Sequence, residues 1–168
     1  MTDRTSAVTA ALDLETRLAR DDHHSIKLWL RLLTCANLIE SEIRRRLHDR
    51  YGTSLARFDL LAQLERAPHG LRMSELSARL MVTRGNITGL ADQLAAEGYV
   101  TREAHAADRR GVKLHLTPAG RDRFRDMARE HEGWVIELLE GLAPDERDAL
   151  HELLGQLKHT LTRTEARP

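Results

Sequence analysis

Asp108, Arg109, Arg110 and Lys113 crowd into the tract HAADRRGVKLHLTPAG, residues 105–120, although the chain's 26 Lys and Arg are balanced by 26 Asp and Glu. A slim cationic side chain at a hairpin tip suits the minor groove of A·T-rich DNA, whose narrowness concentrates negative potential. Arg110 is the first candidate for that role and Arg109 the second. Asp108 suits orienting an arginine through a charge-assisted hydrogen bond, since a carboxylate facing phosphates is repelled. Upstream, Arg84, Asn86, Thr88 and Gly89 offer a second set of groups. Arginine bonds guanine through two donors, asparagine matches adenine, and threonine meets a thymine methyl group. Gly85 and Gly89 each cost a helix roughly 1 kcal/mol, which makes sense where backbone must come close to DNA. Ser74, Arg102 and Lys113 are candidates for the phosphate backbone, Ser74 through its hydroxyl or a helix N-terminal amide.

Such groups need rigid elements to carry them. With 168 residues and 41% hydrophobic content the chain can build one core, alone or with helical extensions. Aromatics are only 4%, and Gly and Pro fall between periodic stretches, so the expected class is mainly α. Zero net charge argues against general polyanion binding and leaves any DNA affinity to locally placed cations. No apolar run reaches the roughly 18 to 20 residues of a membrane span, and the polar start lacks the apolar centre of a signal peptide. The single Cys35 has no partner for an internal disulfide; a cytoplasmic setting is expected. No Gly-x-Ser-x-Gly elbow, phosphate loop or dinucleotide fingerprint occurs, so neither enzyme activity nor a cofactor is expected. The nine histidines give no zinc motif, because the His131-Glu132 and His151-Glu152 tracts lack a second ligating His at helical spacing.

Periodicity places the elements. Residues 1–22 read as a polar arm, with weak helical character around Ala10 to Arg20. Ile26, Trp29, Leu33, Ala36, Ile39, Ile43 and Leu47 recur every three or four residues, predicting a long helix that ends at Tyr51-Gly52. Thr53 or Ser54 caps a second helix carrying Phe58, Leu61 and Leu64. Ser74 is expected to cap a short helix over Glu75 to Met81, and another runs from Thr83 to Gly98; together they read as a helix-turn-helix. Tyr99 to Ala104 and Val112 to Leu116 read as a β-hairpin wing with its loop at Ala106 to Gly111. Thr117 caps and Pro118 opens another long helix, to about Glu140, and Pro144 opens the last, with Leu150, Leu153, Leu154, Leu157 and Leu161 on one stripe. The expected division is a flexible arm at 1–22, a dimerisation helix at 23–52, a winged helix-turn-helix at 53–116, dimerisation helices at 117–163 and a tail at 164–168. The end helices carry more apolar surface than a small central module can cover, so a homodimer is expected.

On these residues the chain resembles the multiple antibiotic resistance regulator (MarR) family of winged helix-turn-helix repressors, over about residues 25–162. Asp108-Arg109-Arg110, then Val112 and Leu114, then Leu116-Thr117-Pro118-Ala119-Gly120-Arg121 resemble the family's wing signature. MSELSARLMVTRGNITGLADQLAAEGYVTR and GLAPDERDALHELLGQL support it. RFDLLAQL and RLMVTRGNITGL are similar to the branch that controls breakdown of hydroxycinnamates and related phenolics, in which the inducer can be an aromatic acyl-CoA thioester. The resemblance implies a repressor homodimer on a palindromic DNA operator and a small aromatic effector, free or as its CoA thioester. It implies a pocket where the long first helix and the start of the fifth meet the winged module. Trp29, Asn37, Ser41, His48 and His131 are candidate linings. Arg44, with Arg45, Arg46 and Arg50, is a candidate partner for a carboxylate or the phosphates of CoA. Oxidant sensing through Cys35, metal sensing, and a helical dimer acting only through protein partners are the alternatives. Cys35 is expected as a small buried side chain, its mid-helix place departing from the peroxide-sensing branch.

Overall fold

The computed structural model describes residues 23–80, 84–104 and 112–165. Residues 1–22, 81–83, 105–111 and 166–168 lie outside, and with them Thr83, Asp108, Arg109 and Arg110. The chain divides into two compact units, residues 1–131 and 132–168.

The first unit begins with α1 (His24–Tyr51), closed by Gly52 in the left-handed region at φ 61°, where a side chain would strain the backbone. Helix α2 (Leu55–Glu65) is capped by Ser54, whose hydroxyl accepts from the Arg57 N–H. A two-residue strand β1 (Leu71–Arg72) leads into α3 (Met73–Leu80), followed by α4 (Arg84–Ala96), β2 (Val100–Ala104), β3 (Val112–Leu116) and α5 (Pro118–Leu138). The hairpin is wider than expected: β3 lies between β1 and β2, both antiparallel to it, with Leu71 opposite Leu114 and Val100 opposite Leu116.

The core sits under the α3–α4 pair. Leu47 of α1, Leu60, Leu61 and Leu64 of α2, Leu76 of α3, Ile87 and Leu94 of α4, Leu114 of β3 and Met127 of α5 are fully buried. Their three- and four-residue spacing on the helices turns one stripe of each inward. Leu114 at the centre of β3 is buried, whereas Val112, on the same face but at the start of the strand, is exposed.

Two expectations need correction. Ser74 lies inside α3 rather than at its cap, because the helix starts at Met73, two residues earlier than expected, and Glu75 holds that end, its carboxylate accepting from the Arg72 N–H at 2.7 Å. Cys35 is exposed, because it lies on the outer part of α1, where Ile26, Leu28, Trp29, Leu32, Leu33 and Leu38 are exposed as well. Within one copy the apolar stripe is covered only near Ile43 and Leu47.

His131 stacks on Phe58 with ring centroids 4.8 Å apart, and Phe124 meets Phe58 at 5.5 Å. Burial lowers the His131 pKa, because the charged imidazolium loses hydration there. Below the unfolded value near 6.5 the unfolded chain takes up a proton that the folded chain resists, so stability falls as pH drops. The Asp59 carboxyl is raised by burial and by Glu40, so its contribution has the opposite sign: present at low pH and lost as pH rises through the folded value. Urea midpoints at pH 7.5 and 5.5 check the histidine: the midpoint should drop at pH 5.5, and His131→Phe, which keeps the stack, should flatten that drop.

The second unit holds the end of α5 and α6 (Pro144–Glu165). Glu146 closes the N-terminus of α6 by accepting from the Ala143 N–H at 2.8 Å. Leu150, Leu153, Leu154, Leu157 and Leu161 lie along α6 and all are exposed.

Candidate nucleic-acid interface

Helix α4 buries Ile87, Ala91 and Leu94 at zero to 1% exposure, which fixes its rotation about its own axis. Gly85, Asn86, Thr88 and Gly89 are then outward and exposed near its N-terminal end. Arg84 opens the helix, and its side chain lies outside the described residues. A Cβ built on Gly85 or Gly89 would meet nothing within 4 Å. Neither glycine is therefore required by packing within the chain. Four residues apart, they bare one strip of backbone on the face that carries Asn86 and Thr88, where a nucleic-acid backbone or base edge can approach.

This arrangement yields a test with two opposed readouts. Gly89→Ala should stabilise the fold by up to about 1 kcal/mol, because alanine favours helix and meets no obstacle. The same change should weaken binding to cognate DNA by about tenfold, or ~1.4 kcal/mol. Thermal unfolding and a mobility shift on one preparation report both.

The far end of α4 is fixed. Gly98 takes φ 77°, its N–H donates to the Ala95 carbonyl at 3.0 Å, and the Tyr99 N–H reaches the Leu94 carbonyl at 2.9 Å. This double closure satisfies the last carbonyls and turns the chain into β2. Thr117 then ties the turn to α5: its hydroxyl donates to the Gly98 carbonyl at 2.8 Å and accepts from the Gly120 N–H at 2.9 Å. The Thr117 N–H donates to the Tyr99 carbonyl at 3.1 Å.

The remaining candidates fall around this module. Ser74 is exposed in the first turn of α3. Arg102 on β2 pairs with Asp92 of α4 at 2.6 Å, so the wing's first strand is linked to the helix before any ligand arrives. Lys113 is half-buried on β3 and its Nζ lies 3.5 Å from the His69 carbonyl. Asp108, Arg109 and Arg110 lie outside the described residues, between the paired ends Ala104 of β2 and Val112 of β3.

The residues expected around an effector are not gathered into one site within the first unit. Trp29, Asn37, Ser41 and His48 are exposed along α1, and His131 is occupied with Phe58. The arginine run is committed to its own helix and to α5. Arg44 pairs with Glu40, Arg45 with Glu42 at 2.6 Å and Asp49 at 3.0 Å, Arg46 with Glu42 at 2.7 Å, and Arg50 with Glu130 at 2.9 Å. Hydrogen bonds from Arg45 and then Arg46 hold the Glu42 carboxyl down at about 2, so these pairs persist through the neutral range. In the free chain these arginines are thus paired with carboxylates three and four residues away or on α5.

A different set does converge. Tyr51, Thr53, Arg57, Glu97, Tyr99 and Arg123 border a cavity of about 120 Å³, floored by Leu61, Leu94 and Met127. These residues span more than seventy positions, and no spacing rule brings them together. The one local signal is the pair of arginines on apolar-striped helices, each in a position where a core residue is otherwise expected.

Among known proteins, a profile described as the MarR family matches residues 51–111. The HTH-type transcriptional repressor YetL of Bacillus subtilis is 30% identical over 145 residues, 86% of either chain. The transcriptional repressor MprA of Escherichia coli is 30% identical over 125 residues, 74% of this chain and 71% of that one. The crystal structure of Sco3205, a MarR family transcriptional regulator from Streptomyces coelicolor in complex with DNA, superposes with a TM-score of 0.72 at 26% identity, covering 85% of this chain and 91% of that one.

Proposed function

The chain belongs to the MarR family of transcriptional regulators, and we propose that it is a repressor that binds a palindromic operator as a homodimer and is released by a small aromatic acid or its CoA thioester. Recognition helix α4 enters the major groove with Arg84, Asn86, Thr88 and Gly89 at the base edges. The wing follows into the adjacent minor groove through Arg110 or Arg109, with Asp108 steadying the arginine. Ser74, Arg102 and Lys113 meet the phosphates. The apolar stripes of α1 and α6 pack against those of a second copy, setting two recognition helices about one DNA turn apart.

The observation that carries this reading is the bare face of α4, where two glycines with no packing duty flank Asn86 and Thr88. The effector acts by population shift: it binds better to a dimer whose recognition helices are wrongly spaced for two half-sites. Support for an aromatic acid comes from the likeness of RFDLLAQL and RLMVTRGNITGL to the phenolic-responsive branch.

Mobility shifts on the DNA upstream of the chain's own gene, at 50 and 200 mM salt, test it. Affinity should fall by about a thousandfold over that range if six or more phosphates are neutralised. Arg110→Ala should cost roughly 1 to 3 kcal/mol at fixed salt while leaving the helical spectrum intact. Salt-independent binding, or none, overturns the assignment.

A further inference from the structure

From a carboxylate on the outward face of α4 we infer that Asp92 is a specificity-determining residue of the DNA-binding surface: its ion pair with Arg102 withholds that cation from non-cognate DNA and keeps it in place for the operator. Helix α4 carries a single acidic residue, Asp92, seven positions after Gly85 and three after Gly89. That spacing puts Asp92 on the bare face, opposite the buried Ile87, Ala91 and Leu94. A carboxylate on such a face is repelled by phosphates. Its partner is Arg102 of β2, whose terminal nitrogen lies 2.6 Å from Asp92 Oδ1.

Stability does not account for this pair. The Arg102 and Asp92 side chains are 38% and 58% exposed, and ion pairs so open to solvent hold a fold together only weakly. What the pair does is fix the place of a charge. Both ends stand on rigid elements: Arg102 is set opposite Leu114 by the strand pairing, and Asp92 is set by the buried stripe of its helix. A guanidinium has five N–H donors, so one edge can hold Asp92 while another remains for a phosphate.

Duplex that seats helix and wing strand together meets that second edge with the carboxylate still covered. Duplex held loosely, as any sequence can be, meets a neutral pair, and drawing Arg102 onto its phosphates would bare Asp92 to the same polyanion. The pair thus takes one cation away from sequence-independent binding, which widens the gap between operator and other DNA. The gain for the operator rests on the reading proposed above; the withheld cation does not.

The test compares the full chain with its Asp92→Asn variant on a random-sequence duplex and on the DNA upstream of its own gene, across a salt series. On the random duplex the variant should bind about threefold more tightly or better, and its log–log salt slope should steepen by about one, as one more phosphate is neutralised. The ratio of upstream to random affinity should fall at least fivefold. Asp92→Glu, which keeps the charge, should hold that ratio within about twofold, and adding Arg102→Gln to Asp92→Asn should cancel the gain in slope. An unchanged slope on the random duplex, or a loss of affinity by the same factor on both DNAs, as a merely structural pair would give, overturns the role. A wild type that prefers no upstream DNA, with the slope gain present in the variant, retains the withheld cation and loses the operator reading. One that prefers upstream DNA without the slope gain does the reverse.

Discussion

Gly120→Ala should destabilise the chain by about 3 kcal/mol or more, a loss of roughly 6 to 12 °C in melting temperature for a protein of this size. A Cβ at position 120 would stand 1.9 Å from the Tyr99 carbonyl oxygen and 2.8 Å from its carbon. Both atoms are backbone, and both are held: the carbonyl accepts from the Thr117 N–H, and Tyr99 itself is clamped to Leu94. Relief therefore needs the start of α5 to move away from the end of α4, breaking the Thr117 hydroxyl bridge. The helix-propensity gain of about 1 kcal/mol from alanine does not offset this. Gly133→Ala on the same helix is the control, because nothing lies within 4 Å of its added methyl group; it should be neutral or stabilising. Calorimetry on the two variants checks the pair, and an unchanged melting temperature for Gly120→Ala would mean the helix start is not as closely seated as described.

The second large effect is expected from Leu153→Lys combined with Leu161→Lys. These side chains are 62% and 57% exposed, so charging them costs the isolated chain little. If α6 meets a second copy, four buried lysines face one another in the dimer and association is lost. Operator affinity should then fall by a hundredfold or more, since one half-site alone lacks the gain from simultaneous engagement. Sedimentation should report half the mass, with helical content retained. A double variant that still sediments as a dimer would move the interface away from this stripe.

Much of the architecture was legible because it rests on short-range chemistry. The α1 stripe, the Ser54 and Thr117 caps, and the Gly52 and Gly98 stops are each written within four residues, and each falls where periodicity predicts it. Strand β1 was not legible, since two residues carry no period and it exists only because Leu71 finds Leu114. Ser74 is not the cap because the helix start falls two residues earlier, where Glu75 bonding the Arg72 N–H fixes it. Cys35 was expected to be buried because an apolar stripe says that a surface will be covered but not by which chain. At the candidate interface the spacing of Gly85 and Gly89 was visible, whereas their lack of packing partners belongs to the folded chain. The Arg57, Glu97 and Arg123 cluster draws on separate parts of the chain, and its one local trace is an arginine on each of two apolar-striped helices.

The corner formed by Gly98, Tyr99 and Thr117 has a mechanical consequence. It anchors α4 at one end, while the residues proposed to read bases lie at the other, and thirteen residues of helix make a rod about 20 Å long. A rotation of only about 10° at the anchored end sweeps the opposite tip through about 3 Å, on the scale of the base-pair rise along DNA. Leverage of this kind lets a small tilt at the corner become nearly a full step of misregister at the far tip.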